Sequence, residues 1–255
     1  MKIKELYRQL ELRIPRELSC SWDNDGLMCC SDLDAEARRV LVVLDITAEM
    51  AEKAVLEGYD LIVSHHPLVF RPLKALNPLS PVAKKVIRLL NAGVSAMSFH
   101  TRLDAVCGGV NDTLSSALGL MDTEPFGNDG EAIGRIGVLP SEMSLQAFAE
   151  RIKQVTGAPY VTVSDAGKAV RRVAILGGSG SDDVGAAQRA GADTYLSGEL
   201  GHHFLTDAPE GDMNLIAAGH FYTENPVCET LKTMLLEIDP TLTVEVADSN
   251  RVRMI

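Results

Sequence analysis

Arg38-Arg39-Val40-Leu41-Val42-Val43 returns at an offset of 133 residues as Arg171-Arg172-Val173-Ala174-Ile175-Leu176. At the same offset Gly58-Tyr59-Asp60 answers to Gly191-Ala192-Asp193, and Ser64 to Ser197. Each copy opens with a β-branched apolar run, the pattern of a strand covered on both faces. A stretch with helical spacing follows, at 47–56 and 181–190, and a glycine stands where that helix would end. Leu61-Ile62-Val63 in one copy and Thr194-Tyr195-Leu196 in the other close the unit as a second strand. Strand, helix and strand in this order form a βαβ unit with parallel strands. The sequence therefore predicts an α/β chain built from two similar subdomains.

Around these units the pattern predicts helices over 3–12, 81–91, 110–118, 144–156 and 225–237, with strands over 133–139 and 242–246. Ser80 and Ser144 stand as N-caps, Pro81 occupies the first helical position, and Gly157 stops the helix before it. The segment 122–131 is rich in Gly, Pro and acid and marks the expected division, giving subdomains 1–124 and 130–255, with the last elements free to pack back on the first.

Composition narrows the function. A balance of 24 basic against 35 acidic residues gives a net charge of −11, which argues against nonspecific nucleic-acid binding and against binding to anionic membranes. The five cysteines (Cys20, Cys29, Cys30, Cys107 and Cys228) form no CxxC pair and read as reduced thiols. The N-terminal residues carry interleaved charge, and no apolar run reaches membrane-spanning length, so the expected location is the cytoplasm.

All six histidines fall in three stretches: Ser64-His65-His66-Pro67, His100 with Asp104 four residues on, and His202-His203 followed by Gly219-His220 with Glu224 four residues on. Each stretch follows a predicted strand. Neutral imidazoles mixed with carboxylates suit zinc, iron, manganese or nickel. Both halves contain a strand followed by His-x-x-x-acid, a spacing that puts both side chains on one side of a helix or turn. The Gly177-Gly178-Ser179-Gly180 run precedes a predicted helix. Such a run either holds a phosphate on backbone N–H groups or makes a plain tight turn.

Taken with Trp22-Asp23-Asn24-x-Gly26-Leu27, Gly108-Gly109-Val110-Asn111-Asp112 and Ser197-Gly198-Glu199, these stretches resemble the NIF-three-like family, whose bacterial members are often named GTP cyclohydrolase 1 type 2 homologues. The resemblance spans nearly the whole chain. It implies a dinuclear metal site in the cleft between the two subdomains and a homohexamer. Metal ligands carried over from the family fall on His65, His66, Asp104, His220 and Glu224, holding two divalent ions. His100 and His203 are the candidate catalytic residues, His100 as a partner of Asp104 or a proton shuttle. Met28-Cys29-Cys30 departs from the small, glycine-ended continuation usual in the family.

The activity implied by the family name is hydrolysis of GTP to 7,8-dihydroneopterin triphosphate and formate, with a nucleotide or other small molecule as substrate. The alternative implied by the origin of the name is a metal-binding regulatory or protein-interaction protein without GTP turnover.

Overall fold

The computed structural model describes residues 1–128 and 131–252, and the chain divides into two compact units, Met1–Leu103 with Cys228–Ile255, and Asp104–Val227. The first unit opens with α1 (Ile3–Arg13), whose Ile3, Leu6 and Leu10 are buried. It continues through β1 (Gly26–Cys29), β2 (Arg39–Val43), α2 (Ala48–Leu56), β3 (Leu61–Ser64), α3 (Pro81–Asn91) and β4 (Ser95–Ser98). A short helix, α4 (Thr101–Ala105), carries the chain out of it. In the second unit lie α5 (Val110–Ala117), β5 (Met121–Asn128), β6 (Glu131–Met143), α6 (Leu145–Thr156), β7 (Thr162–Ser164), β8 (Val170–Ser179), α7 (Val184–Arg189), β9 (Thr194–Glu199), α8 (His202–Asp207), β10 (Asn214–Ala217) and α9 (His220–Glu224). Helix α10 (Val227–Ile238) and strand β11 (Thr243–Val246) return the chain to the first sheet.

Each unit is built on one sheet. The first has the order β1-β4-β3-β2-β11, with β11, β2, β3 and β4 parallel and β1 antiparallel at the edge. The second has the order β5-β6-β8-β9-β10-β7, with the parallel run β8-β9-β10 at its centre. Leu61, Ile62 and Val63 are fully buried, as a strand covered on both faces requires. The expected caps form: Ser80 Oγ accepts from Ala83 N, Ser144 Oγ from Ala147 N, and Gly157 ends α6 at φ +73°. At that left-handed position a side chain would be strained.

The repeat extends to hydrogen bonds that its sequence signature does not announce. Asp60 Oδ2 accepts from the backbone N–H groups of Arg38 and Arg39, both at 2.8 Å. Asp193 does the same for Arg171 and Arg172, at 3.0 and 2.6 Å. The side chains of Arg39 and Arg172 in turn donate to the carbonyls of Glu57 and Ala190, where the preceding helices end. In each half, therefore, one aspartate at the start of the second strand fixes the start of the first.

Elsewhere the fold differs from the pattern. Residues 122–128 lie in β5, inside the second unit and paired antiparallel with β6, and Phe126 is buried. Pro125 is tolerated because β5 is an edge strand, where a missing N–H can face away from the ladder. Asp129 and Gly130 lie outside the described residues. The unusual Met28-Cys29 continuation forms the second half of β1, with a register shift between Leu27 and Cys29.

Removing the carboxylate at Asp193 strands two amides at the start of a central strand. Asp193→Ala is expected to lower stability by about 2 kcal/mol, with Asp193→Asn losing less because one acceptor survives. Urea unfolding followed by circular dichroism reads both; an alanine variant within about 0.5 kcal/mol of wild type would contradict this role.

Candidate metal centre

Strands β3 and β4 run parallel with Ser64 opposite Ser98, so the residues that follow them leave at one edge of the sheet, the carboxyl edge where α/β sheets carry their sites. The two serine hydroxyls lie 2.8 Å apart. Ser64 also donates to the His66 carbonyl, and Ser98 accepts from Leu68 N, which fixes the His65-His66 turn.

Each imidazole of this unit is then oriented through Nδ1. His65, fully buried, places Nδ1 2.9 Å from the Phe99 carbonyl. His66 Nδ1 lies 2.8 Å from Asp45 Oδ1, and His100 Nδ1 2.9 Å from Asp23 Oδ1. A carbonyl or an ionised carboxylate can only accept, so Nδ1 carries the proton in all three rings. In the neutral ring Nε2 then keeps the lone pair that a metal needs. The rings are 4.9 to 5.7 Å apart, and one ligand atom from each falls within 4.8 Å of the others.

The Asp23–Asp25 segment carries much of this order, and histidine spacing gave no sign of it. Asp23 Oδ2 accepts from both the backbone N–H and the hydroxyl of Thr101. Asp25 accepts from His100 N and from Arg102 Nε, and Arg102, wholly buried, also donates to the Ile14 carbonyl. Burial works to raise the Asp23 carboxyl, but the hydrogen bonds from His100 and Thr101 outweigh it and hold the group well below the usual carboxylate range.

In the second unit β9 ends at Glu199 and β10 at Ala217, and Gly219 turns the chain into α9. The spacing of four brings His220 Nε2 to 3.1 Å from Glu224 Oε2, while His220 Nδ1 lies 3.4 Å from Glu199 Oε1. Glu224 and Asp104 are both buried and offer carboxylate oxygens within 4.8 Å of one another. Space for the pair comes from the glycine run. A Cβ on Gly178 would overlap Glu224 Oε1 and stand 3.1 Å from His220 Nε2, and one on Gly177 would come within 3.1 Å of the Glu224 side chain. The contacts of Gly177 and Gly178 are close packing against Glu224 and His220, a role that neither the phosphate reading nor the tight-turn reading of the run described.

The echo between His100–Asp104 and His220–Glu224 is offset by one residue. Strand pairing sets Ser95 opposite Leu61 and Asn214 opposite Thr194, which aligns His100 with Gly219 and Thr101 with His220. Helix α4 accordingly begins at Thr101, and α9 at His220 itself. His100 thus precedes its helix, and its Nδ1 partner is Asp23 rather than Asp104. His203 sits exposed at the start of α8 with its ring 4.1 Å from that of Phe204, and it joins none of the potential metal-holding groups among the described residues.

Because the Asp23 carboxyl is depressed in the folded chain, its contribution is present at neutral pH and declines once pH falls below the unfolded value of about 3.9. Asp23→Asn is expected to cost about 1–3 kcal/mol at pH 7. Thermal melts should show the gap from wild type narrowing below pH 4; a gap independent of pH would contradict the assignment.

The family model for Duf34/NIF3 (NGG1p interacting factor 3) matches residues 1–253. A Clostridium perfringens protein named GTP cyclohydrolase 1 type 2 homolog is 35% identical over 234 residues, covering 89% of this chain and 88% of that protein. The crystal structure of Staphylococcus aureus protein SA1388 superposes with a TM-score of 0.86 at 26% identity, covering 100% of this chain and 99% of that one. Reduced HcgD from Methanocaldococcus jannaschii superposes with a TM-score of 0.83 at 28% identity, covering 96% and 97%. With two sheets of mixed α/β architecture and a family match over almost its full length, the chain belongs to the Duf34/NIF3 family.

Proposed function

We propose that this protein is a metal-dependent hydrolase whose two divalent ions are held jointly by His65, His66, Asp104, His220 and Glu224. The observation that carries this reading is the orientation of His65 and His66 through Nδ1, the arrangement of histidines that serve as Nε2 ligands. The donor set fits the ions: neutral imidazoles with buried carboxylates suit zinc, iron, manganese or nickel rather than calcium or magnesium. Divalent ions bound there supply Lewis-acid activation of water and of a substrate oxygen. Asp104 and Glu224 offset the cationic charge, and Asp45 keeps His66 in the ligating tautomer. His100, tied to Asp23, presents Nε2 as a site to accept or return a proton.

The names of relatives point to GTP as the substrate, opened to 7,8-dihydroneopterin triphosphate and formate. On the same reading the protein works in the cytoplasm as a homohexamer. No helix among the described residues is long and apolar enough to cross a membrane. The family description, an interacting factor, favours a second reading as a metal-binding interaction protein without turnover.

Metal analysis with a GTP assay on metal-reconstituted protein separates the two. Wild type is expected to bind two equivalents and to turn over GTP. His66→Ala and Glu224→Ala should each lose metal, and Asp104→Asn should lose activity beyond the ~10–100-fold that an outer partner costs. Variants that stay folded and keep wild-type metal content would refute the joint site. Full metal content with no turnover would favour the interaction reading.

A further inference from the structure

Two large aromatic side chains stand exposed beside the three imidazoles of the first unit, Trp22 at 55% and Phe70 at 44%. Their ring centroids are 6.2 Å apart at 75°, and each meets the His100 ring edge-on, Trp22 at 6.2 Å and 76°, Phe70 at 5.9 Å and 88°. Single exposed apolar residues need no explanation, but a contiguous aromatic pair next to a polar cluster marks a binding surface.

The pair is also held in place, although exposed. Asn24 Nδ2 donates to the Val69 carbonyl, joining the segment that carries Trp22 to the one that carries Phe70. Asp23 is fixed by His100 and Thr101, and Cys20 N donates to Thr101 Oγ1. Bonds on both sides of Trp22 therefore set its backbone before any ligand arrives, which lowers the ordering cost of binding.

We propose that Trp22 and Phe70 form a stacking wall that seats a planar heteroaromatic ring beside His65, His66 and His100. Because the two rings are near-perpendicular, a flat ring stacked on the face of one turns its edge to the face of the other, the two arrangements aromatic groups prefer. A planar ring also matches the imidazole cluster, because its polar edge finds nitrogen donors and acceptors there while its faces stay on carbon. An aliphatic chain would satisfy the wall and waste the imidazoles. This rests on the hydrolase reading and deepens it by assigning the residues that seat the base of its substrate, and the wall itself needs no metal.

Trp22 is the single tryptophan of the chain, so its emission reports this wall alone. Metal-free full-length protein is titrated with guanosine, adenosine and free pterin, and with inorganic triphosphate and ribose 5-phosphate as ringless probes. At least one ringed probe is expected to quench Trp22 saturably, and the ringless probes to have no effect. Phe70→Ala, which keeps the reporter, should raise the dissociation constant at least about fivefold, in line with one lost stacking partner. By equilibrium dialysis Trp22→Phe should retain binding, and Trp22→Ala should lose it. Three results would overturn the proposal: no saturable response to any ring, an equal response to triphosphate, or an emission shift that follows protein concentration without ligand, which would assign the wall to contact with a second copy. Because the titration uses metal-free protein, quenching without turnover would leave the wall standing and count against the hydrolase alone. Turnover without quenching would do the reverse.

Discussion

The three imidazoles of the first unit are each governed by a contact on the far side of the ring. Phe99 O sets His65, Asp45 sets His66 and Asp23 sets His100. Without those acceptors a neutral histidine could protonate either nitrogen and turn either edge toward the site. With them, the lone pair and the ring direction are decided before a metal binds. Most of these acceptors come from strand ends or the loops next to them, so the sheets are what make the orientation possible.

The halves share a scaffold and differ in chemistry. Asp60 and Asp193 fix equivalent strands in the same manner, and Ser64 and Ser197 end equivalent runs. Beyond those serines one half supplies His65-His66 and the other Gly198-Glu199. The adjacent imidazoles are ligand candidates, whereas Glu199 faces a histidine at the start of α9, and Gly198 packs where a side chain would collide with the Gly178 carbonyl and the His220 backbone. A βαβ unit used twice thus gives a pair of candidate ligands in one copy and a glycine and an acid in the other.

The repeat was legible because its period is long and its strands are apolar, and the His220–Glu224 pair was legible because a spacing of four has a fixed meaning on a helix. The edge strand β5 was hidden by Pro125 and its flanking acids, which are tolerated only because nothing pairs beyond it. The His100 register was hidden by a single residue: His-x-x-x-Asp reads alike whether the helix begins at the histidine or after it, and only strand pairing decides. Asp23 belongs to the Trp22-Asp23-Asn24 motif and Asp25 fills its unspecified position, but their work depends on contacts to His100, Thr101 and Arg102, 75 to 78 positions away in sequence, which spacing cannot show.

The central claim is that these oriented imidazoles and buried carboxylates hold metal together. Anomalous diffraction at the zinc edge from zinc-loaded crystals tests it most directly. The account predicts two peaks per chain, each within about 2.0–2.2 Å of ligand atoms drawn from His65, His66, Asp104, His220 and Glu224, with imidazoles bound through Nε2. Peaks at other residues, imidazoles bound through Nδ1, or no ordered zinc at these side chains would contradict it.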